Sequence, residues 1–154
     1  MQEQKTIEGV QIIPLKRIPD VRGTIMHGVR ADSLLNPFGE LYFKKLYPNV
    51  ISGWHVHESM ILNYICIEGM MRTVLYDMRD NSLTKGMIQE IYYGDDNYVL
   101  AHIPSGIANA SESLISPYSI FCNVASEPHN PNIKYQRIDP TSKEIPFDWN
   151  KKHF

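Results

Sequence analysis

Gly53-Trp54-His55-Val56-His57-Glu58 is the stretch on which the reading of this chain turns. In an extended segment side chains alternate between faces, so His55 and His57 point one way and Trp54 and Val56 the other. Two imidazoles side by side are a costly way to fill a core. They make sense lining a cavity, as proton-transfer groups or as metal ligands. Outward from this pair the chain reads as short extended runs broken by turns. Met60 to Ile67 is almost wholly apolar, and Met70 to Tyr76 follows it directly, which predicts a hairpin about Glu68-Gly69. Met87–Tyr93 and Asn97–Ile103 flank a second turn signal, Gly94-Asp95-Asp96.

The remaining runs are Val10–Ile13, Thr24–Val29, Leu41–Tyr47, Pro117–Val124 and Ile133–Ile138, with a turn expected at Asp20-Val21-Arg22-Gly23 and a loop over Asp32 to Gly39. Ala108 to Leu114 is the one stretch that reads as a short helical turn. About ten strand candidates at close spacing, with almost no helical periodicity, predict an all-β jelly-roll barrel or sandwich. One domain over residues 1–154 is expected, with a barrel core at about 9–138 and an irregular tail at 139–154.

Of the 154 residues 43% are hydrophobic and 21% charged, which excludes a disordered chain. Net charge is −2 and no basic run exceeds the pairs Lys44-Lys45 and Lys151-Lys152, so nucleic acid and anionic membranes are not expected partners. Cys66 and Cys122 sit in apolar runs and read as buried reduced thiols. Met1-Gln2-Glu3-Gln4-Lys5 lacks the apolar core of a signal peptide, and no apolar run is long enough to span a membrane; a cytoplasmic location is expected.

The spacing about the two histidines resembles the cupin family of jelly-roll barrels. That family's first motif is Gly, His-x-His, Glu, Gly; here His55 and His57 are followed by Leu62 at the Glu position and by Gly69. Its second motif, Pro-x-Gly-x-x-His, falls on Pro104-Ser105-Gly106-Ile107-Ala108-Asn109, with Asn in place of His. Within the cupins, Asp20-Val21-Arg22-Gly23, Asp77-Met78-Arg79, Asn81-Ser82-Leu83-Thr84, Ile103-Pro104-Ser105-Gly106 and Ile145-Pro146-Phe147-Asp148-Trp149 look like the dTDP-4-dehydrorhamnose 3,5-epimerase family. The similarity runs from about Gly9 to Trp149.

This resemblance implies an epimerase or isomerase of nucleotide-linked 4-keto sugars in polysaccharide or deoxysugar biosynthesis. It implies no cofactor, and a homodimer that exchanges a strand. A proton on a carbon beside a ketone can be removed by a positioned base if the resulting enolate is stabilised. The family's base falls on His55 and its following Gln on His57. The family's Arg before the Gly is Ser52 here, its Lys is Leu62, its second His is Asn109, and its acidic Tyr falls on Phe121 or Cys122. Gly53-Trp54-His55-Val56-His57 is also similar to a motif of nucleotide-sugar 3,4-ketoisomerases, in which two histidines shuttle a proton between neighbouring carbons.

The catalytic expectation is therefore His55 and His57. Arg22 is expected to hold the diphosphate, and Asn63, Arg72, Asn109 and Tyr118 to line the sugar site. Tyr64, Tyr76 and Tyr118 are the candidate acids, and Asp77 with Arg79 reads as structural. No metal is expected; if one binds, its ligands are His55 and His57, with Asn109 a poor third. A metal-dependent cupin enzyme and a non-catalytic sugar-binding cupin are the alternatives.

Overall fold

A computed structural model of the chain describes residues 5–32, 37–133 and 135–151. Met1-Gln2-Glu3-Gln4, on which the reading of the N-terminus rests, the centre of the Asp32–Gly39 loop, and Lys152 lie outside the described residues.

Among these residues the chain forms strands β1 (Gln11–Pro14), β2 (Arg17–Asp20), β3 (Gly23–Met26), β4 (Glu40–Leu46), β5 (Ser52–Val56) and β6 (Leu62–Glu68). They are followed by β7 (Met70–Asp77), β8 (Ile88–Gly94), β9 (Val99–Ile103), β10 (Ile107–Ser113), β11 (Ser119–Ala125) and β12 (Gln136–Arg137). Two five-stranded antiparallel sheets face each other, one ordered β1-β9-β6-β11-β4 and the other β12-β5-β10-β7-β8. The expected all-β jelly-roll is the observed architecture. A third small sheet, β2-β3, is a hairpin turning through Val21-Arg22.

Alternation decides what enters the space between the sheets. Leu62, Tyr64 and Cys66 of β6 face inward onto Met71 and Leu75 of β7 and onto Phe121 of β11. The opposite face of β6 carries Ile65, packed with Leu100 and Cys122. Outside the second sheet, Trp54, Val56, Val74, Ala108 and Ala110 are covered by the C-terminal segment through Ile138, Ile145, Phe147 and Trp149. Cys66 and Cys122 are thus buried free thiols on opposite faces of adjacent strands, and burial pushes the Cys66 thiol up to about 12.

One expectation about the elements is corrected. Residues 108–114 are not a helical turn: β10 is a central strand that pairs with β5 on one side and β7 on the other. Its Ala and Glu content points locally to helix, but pairing on both edges overrides that propensity. Its inward face is polar, and the hydroxyls satisfy one another: Thr73 Oγ1 bonds both Ser111 Oγ and Tyr93 Oη at 2.8 Å. β2 is an additional strand, which its Pro19 and exposed side chains do not announce and which pairs only with β3.

Candidate active site

Gly53 lets β5 run close against β10. A Cβ there would stand 2.6 Å from both Ala110 Cβ and the Asn109 carbonyl oxygen, and its φ is +138°. Only glycine takes that conformation at low cost. From this anchor Trp54 is driven outward to 1% exposure and His55 is turned inward. His57 follows on the same face.

Both rings enter an open cavity of about 380 Å³. Tyr135 forms a lid over the pair, with ring centroids 5.8 Å from His55 and 5.4 Å from His57, nearly parallel to the latter. Across the cavity stand Tyr42 and Lys44 of β4 and Tyr64 of β6, with Glu127 and His129 at the rim. Lys44 Nζ donates a short hydrogen bond to Ser52 Oγ. Arg137, whose guanidinium lies 5.3 Å from the Tyr135 ring, pairs with His55 in register.

The two imidazoles differ electrostatically. Burial, then the positive charges of Lys44 and Arg137 and the neighbouring His57, push His55 down to about 4. Burial also lowers His57, but Glu127 opposes it. Two adjacent rings whose surroundings disfavour the imidazolium unequally are an arrangement suited to proton transfer. Tyr64 is held by burial well above its ordinary value, so it keeps its proton.

Asn109 does not line the cavity. It is 2% exposed and braces the site, donating to the His55 carbonyl at 3.1 Å and accepting from Tyr64 Oη at 3.1 Å. Asn63 and Arg72 are on the wrong faces for a sugar-binding role. Because Leu62 and Tyr64 face inward, Asn63 faces away, where it bonds His102 Nδ1 at 2.8 Å and donates to the Val124 carbonyl. Because Met71 and Thr73 face inward, Arg72 lies beneath the C-terminal segment, against Glu90, Glu112, Phe147 and Trp149. Tyr118 lies under Lys45 Nζ, 4.3 Å from its ring centroid, outside the cavity. Tyr76 packs on the outer cluster. Arg22 sits at the exposed tip of the β2-β3 hairpin, paired with Asp20 at 2.6 Å, and does not reach this cavity.

Asp77 is structural as expected. Burial alone would raise its carboxyl, but hydrogen bonds from Arg79, Ser82 and Thr84 hold it well below the carboxylate range. Among the described residues no group of three or more His, Cys, Asp or Glu converges to hold a metal ion.

Lys44, Tyr42 and Tyr135 are cavity residues that the sequence reading missed. For the first two a signal exists: Leu46 is the plausible core residue of its strand, and counting back by twos turns Lys44 and Tyr42 to the same side. Tyr135 lies in an irregular approach to β12 and gives no such signal.

No family model matches the chain. Over 148 residues it is 36% identical to the spore coat polysaccharide biosynthesis protein SpsL of Bacillus subtilis (strain 168), covering 94% of this chain and 97% of that protein. A crystal structure of a dTDP sugar isomerase from Desulfovibrio desulfuricans G20 superposes with a TM-score of 0.90 at 30% identity, covering 96% of this chain and 94% of that one. A dTDP-4-dehydrorhamnose 3,5-epimerase from Elizabethkingia anophelis NUHP1 shares the fold, with a TM-score of 0.81 at 19% identity and coverage of 97% and 86%.

Proposed function

The chain belongs to the dTDP-4-dehydrorhamnose 3,5-epimerase family, and from that premise we propose that it epimerises or isomerises a nucleotide-linked 4-keto sugar in polysaccharide biosynthesis. The observation that carries this is the pair of imidazoles at the cavity, His55 and His57, beneath Tyr135. His55 takes a proton from the carbon beside the ketone. It is free to do so at neutral pH because its surroundings disfavour the imidazolium. His57, nearer to Glu127, is the second proton carrier or a ligand for a sugar hydroxyl.

A second reading concerns the outcome of the same first step. His55 in β5 and His57 just past its end line the same cavity, and a proton passed from one to the other would return to the same side of the sugar. That favours a shift of the ketone between neighbouring carbons over inversion.

The working unit in this proposal is a cytoplasmic homodimer, in keeping with its two free thiols. The β2-β3 hairpin, which exposes Ile18, Val21 and Ile25, is the segment offered to the other copy, and it would carry Arg22 toward a bound diphosphate there.

The test is incubation with dTDP-, GDP- and CDP-linked 4-keto sugars in D₂O. Deuterium is expected at carbon beside the ketone, followed by mass spectrometry and NMR. Binding without label would instead make the protein a sugar-binding relative of the enzymes.

A further inference from the structure

Lys44 is an unusual lysine. Its neighbour Lys45 lies on the outer face of β4 over Tyr118, as a solvated lysine does. Lys44 points into the cavity, is half-buried, and has Ser52 Oγ as its hydrogen-bond partner. Among the described residues no carboxylate lies within ion-pair distance of it. A partly desolvated ammonium without a counter-ion is costly, and burial together with Arg137 lowers its pKa. A cavity that retains such a group gains most when an anion enters. The residue lies close enough to His55 for its charge to act on that ring.

We propose that Lys44 is a catalytic residue of this site: its ammonium holds the ketone oxygen of the sugar and carries the negative charge that develops there when the adjacent C–H bond breaks. The assignment rests on the keto-sugar reading above. In the step, the proton leaves carbon for a ring nitrogen of His55. The C–H electron pair becomes the carbon–carbon double bond of the enolate, and the carbonyl π pair moves to oxygen. Return of a proton to carbon reverses these shifts and restores the ketone, with no net oxidation. Ser52 fixes the ammonium from the strand that bears His55, so base and oxyanion holder are mutually positioned. The cation thus reaches the reacting centre from the sheet facing the histidines.

The test uses Lys44→Gln, which keeps a polar, hydrogen-bonding side chain and loses the charge, with Lys45→Gln as a control on the other face. Deuterium wash-in catalysed by Lys44→Gln is expected to fall about 100-fold in kcat with little change in KM, the loss seen when an oxyanion donor is removed. Lys45→Gln is expected to match the wild type. A second readout needs no substrate. His55 is faced by Lys44 from β4, by His57 just past the end of β5, and by Arg137 and Tyr135 from the C-terminal side. Its NMR titration midpoint should rise in Lys44→Gln and stay put in Lys45→Gln. Wild-type wash-in with a Lys44→Gln rate within threefold of it would overturn the assignment alone. Absence of wash-in by the wild type would overturn the keto-sugar reading and this assignment with it. If Lys44→Gln does not fold, Lys44→Arg, which keeps a cation, must retain more wash-in than a folded Lys44→Met, or the assignment fails.

Discussion

Each imidazole is defined by what surrounds it. Folded, His55 titrates at about 4 against an ordinary 6.5. Over that interval the unfolded chain binds a proton that the native chain refuses. The stabilisation from the neutral ring is therefore complete above pH 6.5 and is lost as pH falls toward 4. Urea midpoints for the wild type should fall more steeply across this window than those for His55→Gln. In kcat/KM the acid limb should lie below the ordinary histidine range, because the free base persists to lower pH. Charge at other residues matters according to burial. Arg72 is nearly buried between Glu90 and Glu112, and Arg72→Ala would remove the cation from both carboxylates, leaving Glu90 its bond from the Tyr92 hydroxyl, at about 3 kcal/mol in urea unfolding. The Arg22–Asp20 pair is exposed, with the arginine side chain 85% open to solvent, so Arg22→Ala should leave the urea midpoint essentially unchanged.

At the scale of the strand, β5 depends on Gly53. A methyl group at that position must displace the β10 backbone and adopt a left-handed φ. Gly53→Ala is expected to cost about 3 kcal/mol in urea unfolding and to disturb His55 before it disturbs the outer face. Strand period explains which parts of the site were legible. His55 and His57 were placed on one face by counting alone, and that counting is right because Trp54 and Val56 have an apolar cluster to enter. Asn63 and Arg72 were misassigned for the same physical reason. In a sandwich covered on both sides, a buried strand is apolar on both faces, so the sequence of β6 or β7 does not say which face is the inner one. β10 was misread because its inner face is polar and its outer face is alanine, the reverse of the usual pattern. Lys44 was missed because two adjacent lysines look like a solvated pair, and only the packing of Leu46 separates them.

For the whole molecule, the hairpin of β2 and β3 stands as its own two-stranded sheet, with Ile18 at 47% and Ile25 at 61% exposure. Apolar side chains at this exposure on a projecting arm fit an interface. In the proposed homodimer, Ile18→Asp with Ile25→Asp should shift sedimentation from dimer to monomer at micromolar concentration, while a sedimentation profile unchanged from wild type would remove the hairpin from the interface. The catalytic claim stands on a single event, loss of a proton from sugar carbon to His55. The most direct measurement is the rate of deuterium incorporation from D₂O into a dTDP-linked 4-keto-6-deoxy sugar, compared between wild type and His55→Ala. Label beside the ketone with the wild type, slowed at least about 100-fold in the variant, is the expected result; label entering at equal rates with both proteins would contradict the account.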